Sequence, residues 1–347
     1  MNSKKNILKP SILIIYTGGT IGMIKDYDSG SLKAFDFSQI VDKLPELQQI
    51  NCNLETVSFE KPIDSSNMSI ENYYQLADII NENYDSYNGF VVLSGTDTMS
   101  YVASTISFMF ENLSKPIIFT GSQLPIGDLR TDAKENLITS IEIASLQKNG
   151  FPLIQEVGLY FEYKLFRANR TTKISADQFE AFASMNFPYL AQSGVTLQFN
   201  ENLLLRNESE SELELSKNLN PNIVVLTLFP GITENVVTSI LSIPKLKGVI
   251  LKTYGAGNAP TKKWLIEELK KAIDNNIHII NVSQCLEGKV NMGLYETSSD
   301  LKRIGVINGK NITLESAIAK MMYLLGKDLS DKDFKQNFET SLRGEID

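Results

Sequence analysis

Three times in its first 125 residues the chain runs a short apolar stretch into a loop of glycine and hydroxyl residues. Ile12-Leu13-Ile14-Ile15 leads into Tyr16-Thr17-Gly18-Gly19-Thr20-Ile21-Gly22, Phe90-Val91-Val92-Leu93 into Ser94-Gly95-Thr96-Asp97-Thr98, and Ile117-Ile118-Phe119 into Thr120-Gly121-Ser122-Gln123. Unbroken apolar runs of this length, rich in β-branched residues, mark strands buried on both faces, which is the signature of a parallel sheet. Helical patterns separate them, from Ile70 to about Tyr84, Met99 to Leu113 and Asp132 to Gln147, and such crossovers keep successive strands parallel. Parallel strands all end at the same edge. The three hydroxyl-bearing loops are therefore expected to converge on the carboxyl edge of one sheet, where open α/β sheets bind ligands.

In that setting Thr20 is a candidate nucleophile, and the glycines beside it let the backbone approach a substrate and offer N–H groups to it. Plainer readings exist for each loop. Gly19 and Gly22 with Thr17 form a near miss of a dinucleotide fingerprint, and no Gly-Lys-Ser/Thr follows to make a phosphate loop. Thr96 or Asp97 also suits the cap of the following helix, and Asp64-Ser65-Ser66 suits turn chemistry. The convergence favours one hydroxyl-built site over unrelated caps. Lys173 stands where the basic run Arg167-Ala168-Asn169-Arg170-Thr171-Thr172-Lys173 meets an apolar stretch, Phe179 to Phe187; a partly buried lysine gives up its proton more readily and can act as a base. The single histidine, His278, lies in a core-strand pattern, Ile277 to Val282, which leaves no Ser-His-Asp triad. Cys52 and Cys285 are too few for a zinc cluster.

A net charge of −8 argues against nucleic acid or an acidic membrane as partner, since both need a basic face. The Lys4/Lys5 start has too short an apolar run behind it for an export signal, so a cytoplasmic protein acting on a small molecule is expected. Met23 to Phe37 is polar and suits a lid over Thr20, and Phe37 to Leu44 suits a short helix. Between Asn200 and Asn222 the composition turns to Glu, Asn and Pro. The chain thus divides into an N-terminal catalytic α/β domain (1–205), a linker (206–221) and a smaller C-terminal α/β domain (222–347). The second domain reads β-α-β-α-β through Ile223–Leu228, Thr233–Leu241, Gly248–Leu251, Lys262–Ala272 and Ile277–Val282, with a covering helix Thr313–Leu325.

Thr17-Gly18-Gly19-Thr20-Ile21-Gly22 together with Gly95-Thr96-Asp97-Thr98 resembles the two signature loops of the asparaginase/glutaminase family. Asp64-Ser65-Ser66, Gly121-Ser122-Gln123, Asn169 to Lys173, Tyr254-Gly255-Ala256-Gly257-Asn258 and Asn291-Met292-Gly293 are similar to its cytoplasmic type I branch. The resemblance implies hydrolysis of L-asparagine to L-aspartate and ammonia through a β-aspartyl ester on Thr20. It also implies no cofactor or metal, and a homodimer or dimer of dimers. Thr96, Asp97 and Lys173 would form a second catalytic trio, while Asp64, Ser65, Ser66, Thr96, Asp97 and Ser122 would hold the substrate. Many relatives carry a tyrosine just after the lid glycine, whereas here Ser31 and Leu32 follow Gly30. Two tyrosines compete for that work, Tyr27 in the lid and Tyr295 in the second domain, with Tyr295 preferred. Lys252 stands where the type I pattern has an arginine tied to a second asparagine site, and lysine cannot reproduce a bidentate carboxylate clasp. Two other functions were compatible with the fold: an ammonia-releasing subunit of a transfer-RNA amidotransferase, and a non-catalytic amino-acid or nucleotide binder. The intact Thr/Thr/Lys set favours catalysis.

Overall fold

The computed structural model describes residues 9–25, 32–34, 44–207, 211–293 and 296–347. It separates into two compact units, and the second takes in two short pieces of the first half of the chain: Asn169–Thr172 and Ser184–Pro188 join Ser216–Asp347.

The first unit is built on an eight-stranded sheet. Its strands are β1 (Ser11–Tyr16), β2 (Asn53–Ser58), β3 (Gly89–Leu93), β4 (Ile117–Thr120), β5 (Val157–Phe161), β6 (Lys164–Arg167), β7 (Ala191–Gln192) and β8 (Gln198–Phe199). Their order across the sheet is β8-β7-β6-β5-β4-β3-β1-β2. The five strands β2, β1, β3, β4 and β5 are parallel, as the apolar runs require, with Ile14 beside Val91 and Val91 beside Ile118 in register. β3 is buried along its whole length, whereas β2 at the edge alternates between exposed and partly covered residues. The sheet then turns antiparallel through β6, β7 and β8. Those strands are short and mixed in character, and the sequence did not announce them.

The chain runs from β1 outward to β2 and then back past β1 to β3, so the direction of winding reverses between β1 and β3. In open α/β sheets the crevice at such a reversal, beyond the carboxyl ends of the strands, is where ligands sit. Here it lies between the loops that carry Thr20 and Thr96.

Helix α1 (Ile70–Glu82) buries Tyr73, Leu76, Ala77 and Ile80, one face of a 3.6-residue repeat, and is opened by Ser69, whose N–H donates to Asn72 Oδ1 at 3.0 Å. Helix α2 (Met99–Met109) buries ten of its eleven residues, because it packs on α1 and also on β4 and β5. The helical reading to Leu113 overshoots. Phe110–Glu111 leaves the helix and pairs antiparallel with Glu214–Leu215. Helix α3 (Ala133–Ser145) lies against β1, β3, β4 and β5. Of the expected lid, Met23–Lys25 pairs antiparallel with Leu32–Ala34; residues 26–31, including Tyr27, and the helix expected from Phe37 lie outside the described residues.

The second unit holds four parallel strands in sequential order, β9 (Ile223–Thr227), β10 (Gly248–Thr253), β11 (His278–Ser283) and β12 (Ile307–Asn308). Helices α4 (Glu234–Leu241) and α5 (Lys263–Asp274) pack with the sheet around a core that includes Leu226, Val237, Leu251, Leu265, Leu269 and Ile279. α6 (Glu296–Ile304), α7 (Leu314–Leu325) and α8 (Asp331–Glu339) complete it. Thr313 caps α7 by accepting from the Ser316 N–H at 3.2 Å. His278 has the packed role expected of it: its ring stacks on Phe334 with centroids 3.8 Å apart, and burial lowers its pKa.

Candidate active site

The loop after β1 is held by its neighbours before it reaches Thr20. The Thr17 N–H and hydroxyl both donate to the Leu93 carbonyl at 3.0 Å, and the Thr17 carbonyl accepts from the Ile63 N–H at 2.9 Å. Gly18 and Gly19 then take φ of +139° and +91°. Neither could carry a side chain. A Cβ on Gly18 would stand 2.1 Å from the Ile63 carbonyl oxygen, and one on Gly19 would stand 2.4 Å from the Gly95 nitrogen. The two signature loops therefore touch backbone to backbone, and the glycines are what allows it. Half-buried Thr20 follows at once, opening a short 3-10 turn over Thr20–Gly22. The buried Tyr16 hydroxyl steadies the loop from beneath, donating to the Gly19 carbonyl at 3.2 Å, and burial pushes its pKa up to about 12.

The loop after β3 does not use its polar residues as helix caps. α2 starts behind Thr98, whose hydroxyl donates instead to the Ser65 carbonyl at 2.7 Å. Thr96 and Asp97 turn to Lys173. The Lys173 Nζ donates to Thr96 Oγ1 at 2.8 Å and to Asp97 Oδ1 at 2.6 Å. The Lys173 side chain is 17% exposed, whereas the Asp97 side chain is 66% exposed. Thr96 in turn donates to Gln123 Oε1 at 3.2 Å.

Ser65 and Ser66 belong to a one-turn 3-10 segment behind Asp64. Ser65 is buried, and a Cβ on Gly95 would stand 2.6 Å from its Oγ, so this segment packs directly on the Thr96 loop. Asp64 Oδ1 accepts from the Ser66 N–H at 2.9 Å and from the Ser66 hydroxyl at 2.8 Å. Those bonds hold the Asp64 carboxyl below its ordinary pKa, so it is ionised at neutral pH. Ser122 is buried and spends its hydroxyl proton on the Leu124 carbonyl at 2.6 Å.

Thus Asp64, Ser65, Thr96, Asp97 and Lys173 form one contiguous set, and Thr20 joins it through the Gly19 and Gly95 contact. Tyr27 and Tyr295 lie outside the described residues. Gln123 is the member that sequence reasoning misses, since its place beside Thr96 depends on the sheet order. Among the described residues no group of three or more His, Cys, Asp or Glu side chains could hold a metal ion, and both cysteines are free.

Residues 11–205 match the family described as Asparaginase, N-terminal, and residues 222–338 match the Glutaminase/Asparaginase C-terminal domain. The chain belongs to the asparaginase family. It is 40% identical over 339 residues to L-asparaginase 1 of Escherichia coli K12, covering 97% of this chain and 98% of that one. The crystal structure of L-asparaginase I from Vibrio cholerae O1 biovar eltor superposes with a TM-score of 0.90 at 40% identity, over 98% of this chain and 99% of the other. A further family relative, the 60 kDa lysophospholipase of Mus musculus, is 38% identical over 357 residues, 96% of this chain and 62% of its own length. No helix among the described residues is long and apolar enough to cross a membrane.

Proposed function

We propose that the chain hydrolyses L-asparagine to L-aspartate and ammonia, with Thr20 as the acylated nucleophile. The observation that carries the reading is the Lys173 ammonium bridging Thr96 Oγ1 and Asp97 Oδ1 on a loop in backbone contact with the one that presents Thr20. That arrangement is held together by polar bonds a mere binding fold would not require. Near-complete coverage of asparaginase relatives supports the same substrate.

In the first step Thr20 Oγ bonds to the side-chain carbonyl carbon of asparagine and the carbon–nitrogen bond breaks. The hydroxyl proton ends on the departing nitrogen, which leaves as ammonia. In the second step a water oxygen bonds to the same carbon, the ester bond to Thr20 breaks, and a proton returns to the threonine. A threonine hydroxyl is a weak nucleophile near neutral pH, so both steps need a partner that takes and returns the proton. Lys173 and Thr96 supply that path, together with Tyr27 or Tyr295. N–H groups of the glycine loops receive the oxyanion. The ionised Asp64 and the exposed Asp97 face the α-ammonium, and the hydroxyls of Ser65 and Ser66 suit the α-carboxylate.

The enzyme acts as a homodimer or a dimer of dimers, which light scattering on active protein decides. The function itself is tested by ammonia release from L-asparagine and from L-glutamine at equal concentration. One methylene separates the two, worth about 1–3 kcal/mol in a pocket, so some glutamine turnover is compatible. Absence of ammonia from L-asparagine overturns the reading.

A further inference from the structure

The amide of Gln123 has its two ends committed to different tasks. Its Nε2 lies 3.3 Å from the Ala176 carbonyl and 3.0 Å from the Gln178 carbonyl. Carbonyl oxygens only accept, so the NH2 end must face them and the Oε1 end must face Thr96. Oε1 is likewise an acceptor and nothing else. The single hydroxyl proton of Thr96 therefore points at Gln123, 3.2 Å away, and Thr96 Oγ1 offers Lys173 only lone pairs. The side chain springs from a fixed base. The backbone N–H groups of Gln123 and Leu124 both donate to the buried Asp132 carboxylate, at 2.9 Å and 3.1 Å, and Asn136 Nδ2 ties the preceding Gly121 carbonyl at 3.0 Å.

We infer that Gln123 is a positioning residue that acts through Thr96 and Lys173. One end of its amide sets the direction of the Thr96 hydroxyl, and the other tethers the loop just beyond Lys173. Ala176 and Gln178 follow that lysine by three and five residues, and Ile174 is anchored on the other side by its N–H bond to the Ala181 carbonyl at 2.8 Å. The resting site thus holds Lys173 as a donor to two oxygens. As a donor to both oxygens Lys173 has no lone pair turned to Thr96, so it takes the Thr96 proton only after passing one of its own to the Asp97 carboxylate and once the Thr96 hydroxyl has let go of Gln123. The amide thus governs when the pair becomes a base.

The inference rests on the hydrolase reading, and the two fail separately, because ammonia release by the parent enzyme judges the reading alone. Gln123 is judged by two experiments on the full chain. In the first, kcat and KM for L-asparagine are measured for the parent, Gln123→Met, Thr96→Val and the double variant. Gln123→Met should lower kcat by about tenfold with KM within about twofold, as expected for a loss of orientation, and should cost nothing further once Thr96 is valine. In the second, amide hydrogen exchange is followed over residues 174–181 and needs no substrate. Exchange there should quicken in both Gln123→Met and Gln123→Glu, which lack the NH2 group, and stay at the parent rate in Thr96→Val. An equal kcat loss in both Thr96 backgrounds, a loss confined to KM, or unchanged exchange in the two Gln123 variants each overturns the inference.

Discussion

Replacing Gly19 by alanine tests the close loop approach, with Gly150→Ala as a positive-φ reference in open space. Both glycines have positive φ, +91° and +86°, and Gly19 also has ψ of 171°, a region left almost wholly to glycine, so its own conformational term stands at the upper end of the range. A Cβ at Gly150 meets nothing within 4 Å, whereas at Gly19 it stands 2.4 Å from the Gly95 nitrogen and 2.5 Å from its Cα. Gly150→Ala should therefore cost only the conformational term, about 1–3 kcal/mol. Gly19→Ala adds overpacking against backbone that cannot rotate away, about 1–3 kcal/mol more, which widens the gap in melting temperature between the two variants by about 2–12 °C. Relief of the overlap to ordinary contact requires the two loops to part by about 1 Å. Since Thr20 rides on one and Thr96 on the other, a displacement of that size should lower kcat/KM by about 10²-fold, while Gly150→Ala keeps the parent value. The assay is calorimetric melting with ammonia release on the same preparations. A Gly19→Ala enzyme that melts with Gly150→Ala and keeps kcat/KM within fivefold of the parent would refute the claim that backbone contact between the loops sets the catalytic geometry.

Three further outcomes are expected. Lys320 and Glu345 form a fully buried ion pair, and Lys320 Nζ also donates to the Phe338 and Thr340 carbonyls at 2.8 Å and 2.7 Å; Glu345→Ala should cost about 3–5 kcal/mol in urea unfolding by leaving a buried charge. Glu162 is pushed up to about 7 by burial and by Asp132, Glu135 and Glu180. Its folded state then binds a proton that the unfolded chain has released, so stability should fall as pH rises from about 4.5 to about 7 and Glu162→Gln should flatten that slope, as urea titrations across this range would show. Of Tyr27→Phe and Tyr295→Phe, one should lower kcat by about 10²–10⁴, and near-normal turnover in both would remove tyrosine from the proton path.

Much of the first unit was legible because parallel strands buried on both faces must be written in apolar residues. Ile12–Ile15, Phe90–Leu93 and Val157–Phe161 leave little else to read. Two helix starts were legible too: the readings from Ile70 and from Thr313 lie within a residue of where α1 and α7 begin, behind Ser69 and Thr313. What stayed hidden was written in two-residue strands or in long-range placement. Ala191–Gln192 and Gln198–Phe199 are too short to show a period, and polar α8 declares itself only through Phe334 and Phe338, four residues apart on its buried face. Lys173 could be suspected from its surroundings but paired with Thr96 and Asp97 only through the family resemblance, since no spacing in sequence says that residue 173 meets residues 96 and 97. Gln123 stands out in the sequence only within the Gly121-Ser122-Gln123 motif, and a role beside Thr96 has meaning only once β4 lies beside β3. The small-residue loops were thus easier to foresee than the side chains that steer them.

The central claim is that Thr20 carries the acyl group while Thr96 and Lys173 move its protons, and trapping the ester tests this most directly. A slow substrate of the amide class is mixed with the parent, Thr20→Ala and Thr96→Val enzymes, quenched in acid, and the tryptic peptides are weighed. With a substrate whose deacylation is the slower step, the account predicts a β-aspartyl adduct on the peptide containing Thr20 in the parent, none in Thr20→Ala, and an adduct still on Thr20 in Thr96→Val. An adduct mapped to Thr96, or one undiminished in Thr20→Ala, would contradict it.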